Sequence, residues 1–273
     1  MAEYETITLE RDGPVAILTL NRPGRLNAIS QTMLAELSDA CDVVEANDSL
    51  RALVLTGAGK AFSAGFDLQD QAAHTPQGPE EWGPVLRRDF DGVMRFWRLS
   101  KPTIAAVRGP ALAGGCEMAV ACDITLAADT AILGEPELKF GAGIVVLLLP
   151  WLVPPKKAKE IVLLGLDGIT AAEARDMGLV NRVVPEDRVL DEAMALARHI
   201  AVVDPMVMQR SKRALNESLD IAGMSRALEN ALAIDLEIEG EGSVDKRDFL
   251  DALRAGGLRG ALQWRDRRFA GQG

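Results

Sequence analysis

The chain has few of the side chains from which metal and disulfide sites are built. Its 273 residues include two histidines and three cysteines. Cys41, Cys116 and Cys122 lack the spacing of metal ligands, and only His74 and His199 could complete such a set. The odd number of cysteines also argues against a disulfide framework. We therefore expect reduced thiols, a cytoplasmic location and no bound metal.

Positive charge and long apolar runs are scarce as well. The chain carries 30 Lys and Arg against 40 Asp and Glu, a formal net charge of −10. This balance argues against a nucleic-acid partner, since binding a phosphate backbone relies on clustered cations. The longest apolar run, 144–153, contains Pro150 and is shorter than the ~20 residues that span a bilayer. The first residues alternate like a strand and lack the apolar core of an export signal, so we expect no membrane partner.

The apolar pattern predicts an α/β core. Segments 4–10 and 15–20 alternate like strands on either side of Asp12-Gly13, a pair that favours a hairpin turn. Further short apolar runs predict buried strands, at 52–56, 103–107, 124–127, 131–133 and 179–184.

Helix signals lie between these strands. Ser30 is suited to be the N-cap of the helix that follows it, and the segment from Thr170 to Glu173 has the capping-box pattern. Residues 69–84 show no regular period and predict a long loop, in which His74 is expected to face solvent.

The pattern changes near residue 200. From Glu186 onward only helical patterns remain, one of them started by Asp204 as cap and Pro205 in the first turn. We therefore divide the chain into a core, 1–200, and a helical oligomerisation region, 201–273. The apolar residues of the second part are numerous and need a partner surface.

Two glycine-containing turns and two glutamates predict a catalytic site. Ala-Gly-Gly-Cys-Glu at 113–117 opens an apolar helical pattern, where exposed backbone N–H groups and the helix dipole favour an anion. A second turn, Ala-Phe-Ser-Ala-Gly-Phe-Asp-Leu at 61–68, offers another N–H donor. Donors that converge on one oxygen form an oxyanion hole, worth about 2.7–4 kcal/mol of barrier each. With Glu117 and Glu137, these are the groups that enolate chemistry on a thioester needs.

An ordered set of motifs carries a resemblance to a known family. The motifs are Asn-Arg-Pro at 21–23, Leu-Asn-Ala at 26–28, the turn 62–68, Lys-Pro-Thr-Ile-Ala-Ala-Val at 101–107, Gly-Gly-Cys-Glu at 114–117, Cys-Asp-Ile at 122–124, and Pro-Glu at 136–137 followed by Gly141. From about residue 7 to its end, the chain resembles the crotonase, or enoyl-CoA hydratase/isomerase, superfamily. The resemblance implies a crotonase-like α/β spiral of repeated ββα units. It also implies a C-terminal helical region that packs between subunits of a homotrimer or of a hexamer made of two trimers.

The resemblance further implies an enoyl-CoA hydratase, which adds water across the 2,3 double bond of an enoyl-CoA thioester. The residue that matches Glu137 would handle the proton at C2, and the one that matches Glu117 would activate the water that adds at C3. The N–H groups of Ala64 and Gly114 would hold the thioester oxygen. No cofactor is implied beyond the coenzyme A of the substrate. The implied substrate-binding residues are Arg22, Leu26, Ala28, Ser63, Ala64, Gly65, Phe66, Asp67, Leu68, Gly114 and Val145.

One segment departs from the family pattern. Family hydratases commonly follow the Pro-Glu motif with a glycine- and proline-rich turn that helps to hold the catalytic water. Here the chain reads Gly-Ala-Gly-Ile-Val-Val-Leu-Leu-Leu-Pro at 141–150, so bulky residues replace glycine and the backbone donor is expected at Val145. The run 144–149 either lines the acyl end of the pocket or packs the core.

Other functions stay open at this point. An enoyl-CoA isomerase would need Glu137 alone, and a CoA-binding scaffold without activity would keep the turns but lose the acids. A serine peptidase on the related spiral fold is disfavoured because no Ser/His/Asp set is apparent. Cys116 is expected to be a small buried residue and not a nucleophile. Several cations are candidates for pairing with CoA phosphates, namely Arg22, Arg25, Lys60, Arg265, Arg267 and Arg268.

Overall fold

A computed structural model describes residues 3–73 and 75–270. His74, which the sequence places in a solvent-facing loop, lies outside the described residues. Nine strands are described, namely β1 (Ile7–Asp12), β2 (Val15–Leu20), β3 (Ala52–Gly57), β4 (Thr103–Val107), β5 (Pro110–Leu112), β6 (Ile124–Ala128), β7 (Ile132–Gly134), β8 (Ile169–Thr170) and β9 (Arg182–Val184).

These strands form two sheets. The larger has the order β1-β2-β3-β4-β6-β9, and the smaller has the order β5-β7-β8. Strands β1 and β2 pair antiparallel around Gly13, whose φ of 57° suits the hairpin turn, whereas the other neighbours in the larger sheet are parallel. Every residue of β3 and β4 is buried, as expected for parallel strands covered on both faces.

Helices cover the sheets and supply the rest of the core. They are α1 (Gln31–Ala46), α2 (Leu68–Ala73), α3 (Gly78–Arg98), α4 (Gly114–Ala121), α5 (Leu149–Leu152), α6 (Pro155–Leu164), α7 (Ala171–Asp176), α8 (Val189–Ile200), α9 (Pro205–Ala222), α10 (Met224–Glu241) and α11 (Val244–Phe269). The predicted caps are confirmed, since Ser30 accepts from the N–H of Met33, Thr170 and Glu173 form a capping box, and Asp204 caps α9. Within the described residues, no helix is both long and apolar enough to cross a membrane.

The predicted loop at 69–84 is wrong, because the structure places α2 and the start of α3 there. Pro79 lies in the first turn of α3, where the missing N–H costs no helical hydrogen bond. Trp82 and Leu86 are buried on this helix. Helix α3 packs along α10, so the segment is ordered by contacts far away in sequence that its own residue pattern does not reveal.

The helices after residue 200 pack on their own chain. The predicted boundary falls between α8 and α9, but Met224, Leu228 and Leu232 of α10 belong to the main core. A second, smaller core forms around Phe249 of α11. These helices therefore find part of their partner surface within the same protomer.

Candidate active site

Two tight turns meet at the N-terminus of α4. Ser63 forms a bridge with Ala111, and the N–H of Leu112 donates to the carbonyl of Ser63 at 3.0 Å. A Cβ on Gly65 would lie 2.7 Å from the Cβ of Ala113 and 3.3 Å from the nitrogen of Gly114. The turns are thus in contact, and glycine at position 65, with a φ of 88°, allows that approach.

The two predicted oxyanion donors lie in these turns, but their states differ. Gly114 begins α4, where helical geometry offers its N–H no acceptor within the helix. The N–H of Ala64 donates to the carbonyl of Leu26 at 3.0 Å. Leu26 has a left-handed conformation with a φ of 50°, a strained state for leucine.

Three glutamates meet beside the turns. Glu117 lies in the first turn of α4, and Glu137 begins a short 3₁₀ helix, Glu137–Phe140, that follows β7. Glu135, for which the sequence predicts no role, is also buried, and one oxygen of each glutamate lies within 4.8 Å of the others. The only sequence signal for Glu135 is its place two residues before Glu137, in the run Gly-Glu-Pro-Glu.

Burial and mutual repulsion keep protons on this cluster. Burial, followed by the charge of Glu137, raises the pKa of Glu117 well above its usual range. Burial is also the main cause that raises the pKa of Glu135, and it raises the pKa of Glu137 to about 8. Carboxylates this close cannot all be ionised, so the cluster retains protons near neutral pH.

A backbone donor holds one of these acids. Oε1 of Glu117 accepts a hydrogen bond from the N–H of Val146 at 2.9 Å. The donor beside the acids is thus Val146, one residue after the position at which the sequence places it. Oε2 of each glutamate is buried without a hydrogen-bond partner among the described residues, and of the three side chains only that of Glu137 lines the cavity described next.

A cavity of about 680 Å³ opens between the turns, the acids and helices α3, α10 and α11. Glu137 lines it, whereas Glu117 is 1% exposed and is not among the described residues of its wall. The predicted site residues that do line it are Leu26, Ala28, Ala64, Phe66, Asp67, Leu68, Glu137 and Val145.

A family model described as enoyl-CoA hydratase/isomerase matches residues 10–241. The chain belongs to this family. It is 37% identical over 227 residues to a probable enoyl-CoA hydratase of Mycobacterium tuberculosis, covering 80% of this chain and 83% of the relative. It is 35% identical to a short-chain-enoyl-CoA hydratase of Clostridium acetobutylicum, covering 92% and 95%. A crystal structure of an enoyl-CoA hydratase/isomerase from Xanthobacter autotrophicus Py2 matches with a TM-score of 0.97 at 55% identity, covering 98% and 99%. The predicted superfamily and its fold are confirmed.

In this enoyl-CoA hydratase/isomerase family member, several predicted binding residues shape the turns. Arg22 donates to the carbonyl of Ala28 at 2.6 Å and pairs with Asp67 at 2.8 Å. Ser63 donates its hydroxyl hydrogen to the carbonyl of Asn27 at 2.9 Å. These contacts link the segment 22–28 to the second turn, and so they position residues that line the cavity.

Two of the candidate phosphate-binding cations lie on the cavity wall, Arg25 and Arg265. Arg25 donates to the side chain of Gln69. Arg265 pairs with Asp266 at 2.6 Å and stacks over the ring of Phe140 at 5.4 Å. Arg268 is engaged elsewhere, with Asp245 at 2.8 Å.

The sequence does not predict another part of the cavity wall. Helix α3 contributes Trp82, Leu86 and Asp89, while α10 and α11 contribute Glu239 and Lys246. The periodic apolar residues of α3 predict a buried face, but nothing in a single sequence pairs that face with helices near the end of the chain.

Proposed function

We propose that the protein is an enoyl-CoA hydratase that adds water across the 2,3 double bond of an enoyl-CoA thioester. The observation that carries this proposal is the pairing of Glu117 and Glu137, buried within 4.8 Å of each other beside the turns of Ala64 and Gly114. Addition of water needs both an acid and a base, and this cluster retains protons near neutral pH. The names of the relatives support the same activity.

The mechanism assigns one task to each group. The N–H groups of Gly114 and Ala64 bind the thioester oxygen and stabilise the enolate, for which the Leu26 carbonyl gives up its hydrogen bond. Glu117, oriented by Val146, removes a proton from the water that attacks C3. Glu137, which lines the cavity, delivers the proton to C2. Glu135 adds a third carboxyl to the cluster and keeps its proton affinity high.

Isomerisation is the second candidate, and one observation favours it. Glu137 lines the cavity, whereas Glu117 lies deeper. Isomerisation of a 3-enoyl thioester needs one carboxyl that moves a proton between C2 and C4, and Glu137 alone meets that need. Isomerisation is therefore the alternative that the first experiment must distinguish from hydration.

The experiment compares Glu117→Gln and Glu137→Gln with the parent on 2-enoyl-CoA and 3-enoyl-CoA thioesters. A hydratase loses at least ~100-fold in kcat with either substitution, the lower range for acid–base catalysis. If Glu117→Gln retains full isomerisation and the parent shows no hydration, the isomerase is the correct function. Full hydration by Glu117→Gln would contradict the two-acid mechanism.

We also propose a homotrimer or a dimer of trimers. Although α10 packs on α3, large apolar side chains remain exposed to solvent in and just before α9: Val202 is 84% exposed, Leu215 70% and Ile221 87%. We propose that another copy of the chain covers these exposed apolar side chains. Static light scattering of the purified protein measures this directly.

A further inference from the structure

The cavity wall formed by α3, α10 and α11 carries charge. Asp89, Glu239 and Lys246 line it beside the ring of Trp82. A pocket for a plain hydrocarbon chain has no use for such groups, because buried charge is costly unless it is paired. Their presence on this wall therefore requires a reason.

Two of these groups satisfy each other. The ammonium of Lys246 donates to Glu239 and lies 4.9 Å from the ring centroid of Trp82. This arrangement gives both charges a partner and explains their presence in the wall by packing alone.

Asp89 has no such explanation. It is 2% exposed, and its Oδ1 has no hydrogen-bond partner among the described residues. Its nearest cation is the exposed Arg88, whose Nε lies 4.0 Å away, beyond hydrogen-bond distance. Burial raises the pKa of Asp89 to about 7, and the charge of Arg88 offsets this effect only in part, so the carboxylate lacks the contacts that would stabilise its charge.

A second unpaired carboxyl stands close to the same cavity. Both oxygens of Asp235 are buried without a partner among the described residues. A Cβ on Gly143, which lines the cavity, would collide with Oδ1 of Asp235, so only a glycine lets this carboxyl approach the wall so closely. The charges of Asp89 and Asp235 also reach Glu117, whose pKa both of them raise.

We propose that the acyl group bound in this cavity carries a hydrogen-bond donor, a hydroxyl or an amino group, and that Asp89 accepts its hydrogen bond. This inference rests on the proposed function for the thioester end of the ligand. A plain alkyl chain would cover Asp89 and leave it unpaired, whereas a donor restores the bond that burial has removed. Asp89 then selects among enoyl thioesters by the polarity of their far end.

The test measures binding, so that it does not depend on turnover. Isothermal titration gives the Kd of saturated, unreactive acyl-CoA thioesters of several medium lengths, each as the plain alkyl, the ω-hydroxy and the ω-amino form. At the length that reaches Asp89, we expect the hydroxy or amino form to bind about tenfold or more tightly than its alkyl counterpart, the range for hydrogen bonds to charged groups. Comparing the Kd values of the hydroxy and amino forms shows which of the two donors Asp89 binds more tightly.

Three variants complete the test. Asp89→Leu removes the acceptor, and Asp89→Asn is the conservative replacement in case the leucine protein does not fold. The matched control is Asp91→Leu, on the same helix, where Asp91 is 47% exposed and pairs with Arg98. We expect Asp89→Leu to abolish the preference for the polar form, Asp89→Asn to reduce it, and Asp91→Leu to retain it.

Equal Kd values for the polar and alkyl forms at every length, or a preference that survives in both Asp89 variants, would overturn the inference. The proposed function is judged separately by hydration of 2-enoyl-CoA. A protein that prefers the polar thioesters but hydrates none of their enoyl forms refutes the hydratase and leaves the assignment of Asp89 standing. A protein that hydrates plain enoyl-CoA and shows no preference for the polar thioesters supports the hydratase and refutes the assignment of Asp89.

Discussion

Replacing Gly65 by alanine should separate the two turns that hold the proposed oxyanion donors. The new Cβ would lie 2.7 Å from the Cβ of Ala113 and 2.9 Å from the carbonyl oxygen of Leu112. Carbon atoms in good contact lie about 3.5–4.0 Å apart, so the turns must move apart by roughly 1 Å. A misplacement of that size costs about 100-fold in rate, and loss of one oxyanion donor costs about 100- to 1,000-fold. We therefore expect kcat to fall about 100-fold.

The control for this variant is Gly13→Ala in the β1–β2 turn. Gly13 also has a positive φ, 57°, but a Cβ there meets nothing within 4 Å. Both variants should lose about 1–2 kcal/mol of unfolding free energy from the left-handed backbone, and Gly65→Ala should lose more because of its close contacts; urea denaturation measures both losses. Only Gly65→Ala should lose turnover, measured by the absorbance of the enoyl thioester. A folded Gly65→Ala protein with the kcat of the parent would refute the assignment of these turns.

Three further results are expected. Val145→Gly should shift the preferred acyl length, since Val145 lines the cavity. Val146→Gly should lower the melting temperature without that shift, because Val146 is buried and lies outside the described wall. Measurement of kcat/KM across a series of acyl lengths shows which variant changes the preference. Burial is the main cause that raises the pKa of Asp235 to about 7. The folded protein therefore loses stability relative to the unfolded chain as pH rises from about 4 through 7 and this buried carboxyl ionises. Asp235→Asn should increase the free energy of unfolding by ~1–4 kcal/mol at about pH 8 and change it little at about pH 4. Light scattering should give the mass of a trimer or a multiple of it, and a monodisperse monomer would contradict the proposed assembly.

Local signals in the sequence predict the elements that depend on neighbouring residues. The hairpin at Gly13, the cap at Ser30 and the capping box at Thr170 each need only a few adjacent residues, and all three are present. The same holds for the buried strands β3 and β4, whose apolar runs are unbroken.

The missed features depend on contacts distant in sequence. Helix α3 extends back to Gly78 because its first turns pack on α10, and no periodicity within 69–84 indicates this. Asp89 reads as one polar residue on an amphipathic helix, and only the packing of α3 against other helices, α10 above all, shows that it is buried. The sequence does not single out Glu135, because a carboxylate before a proline carries no local sign of burial.

In the proposed mechanism, the hydrogen bond from Ala64 to Leu26 makes the Leu26 carbonyl an internal competitor of the thioester oxygen. A thioester carbonyl that enters the site replaces another neutral carbonyl, so the exchange contributes little to the affinity for the ground state. An enolate oxygen carries charge, and charge-assisted hydrogen bonds are roughly twice as strong as neutral ones, so the same exchange then favours the ligand. Leu26 also leaves a strained backbone conformation if it moves aside. Under the proposed mechanism, the occupied donor would thereby direct binding energy to the transition state, the species whose stabilisation increases the rate.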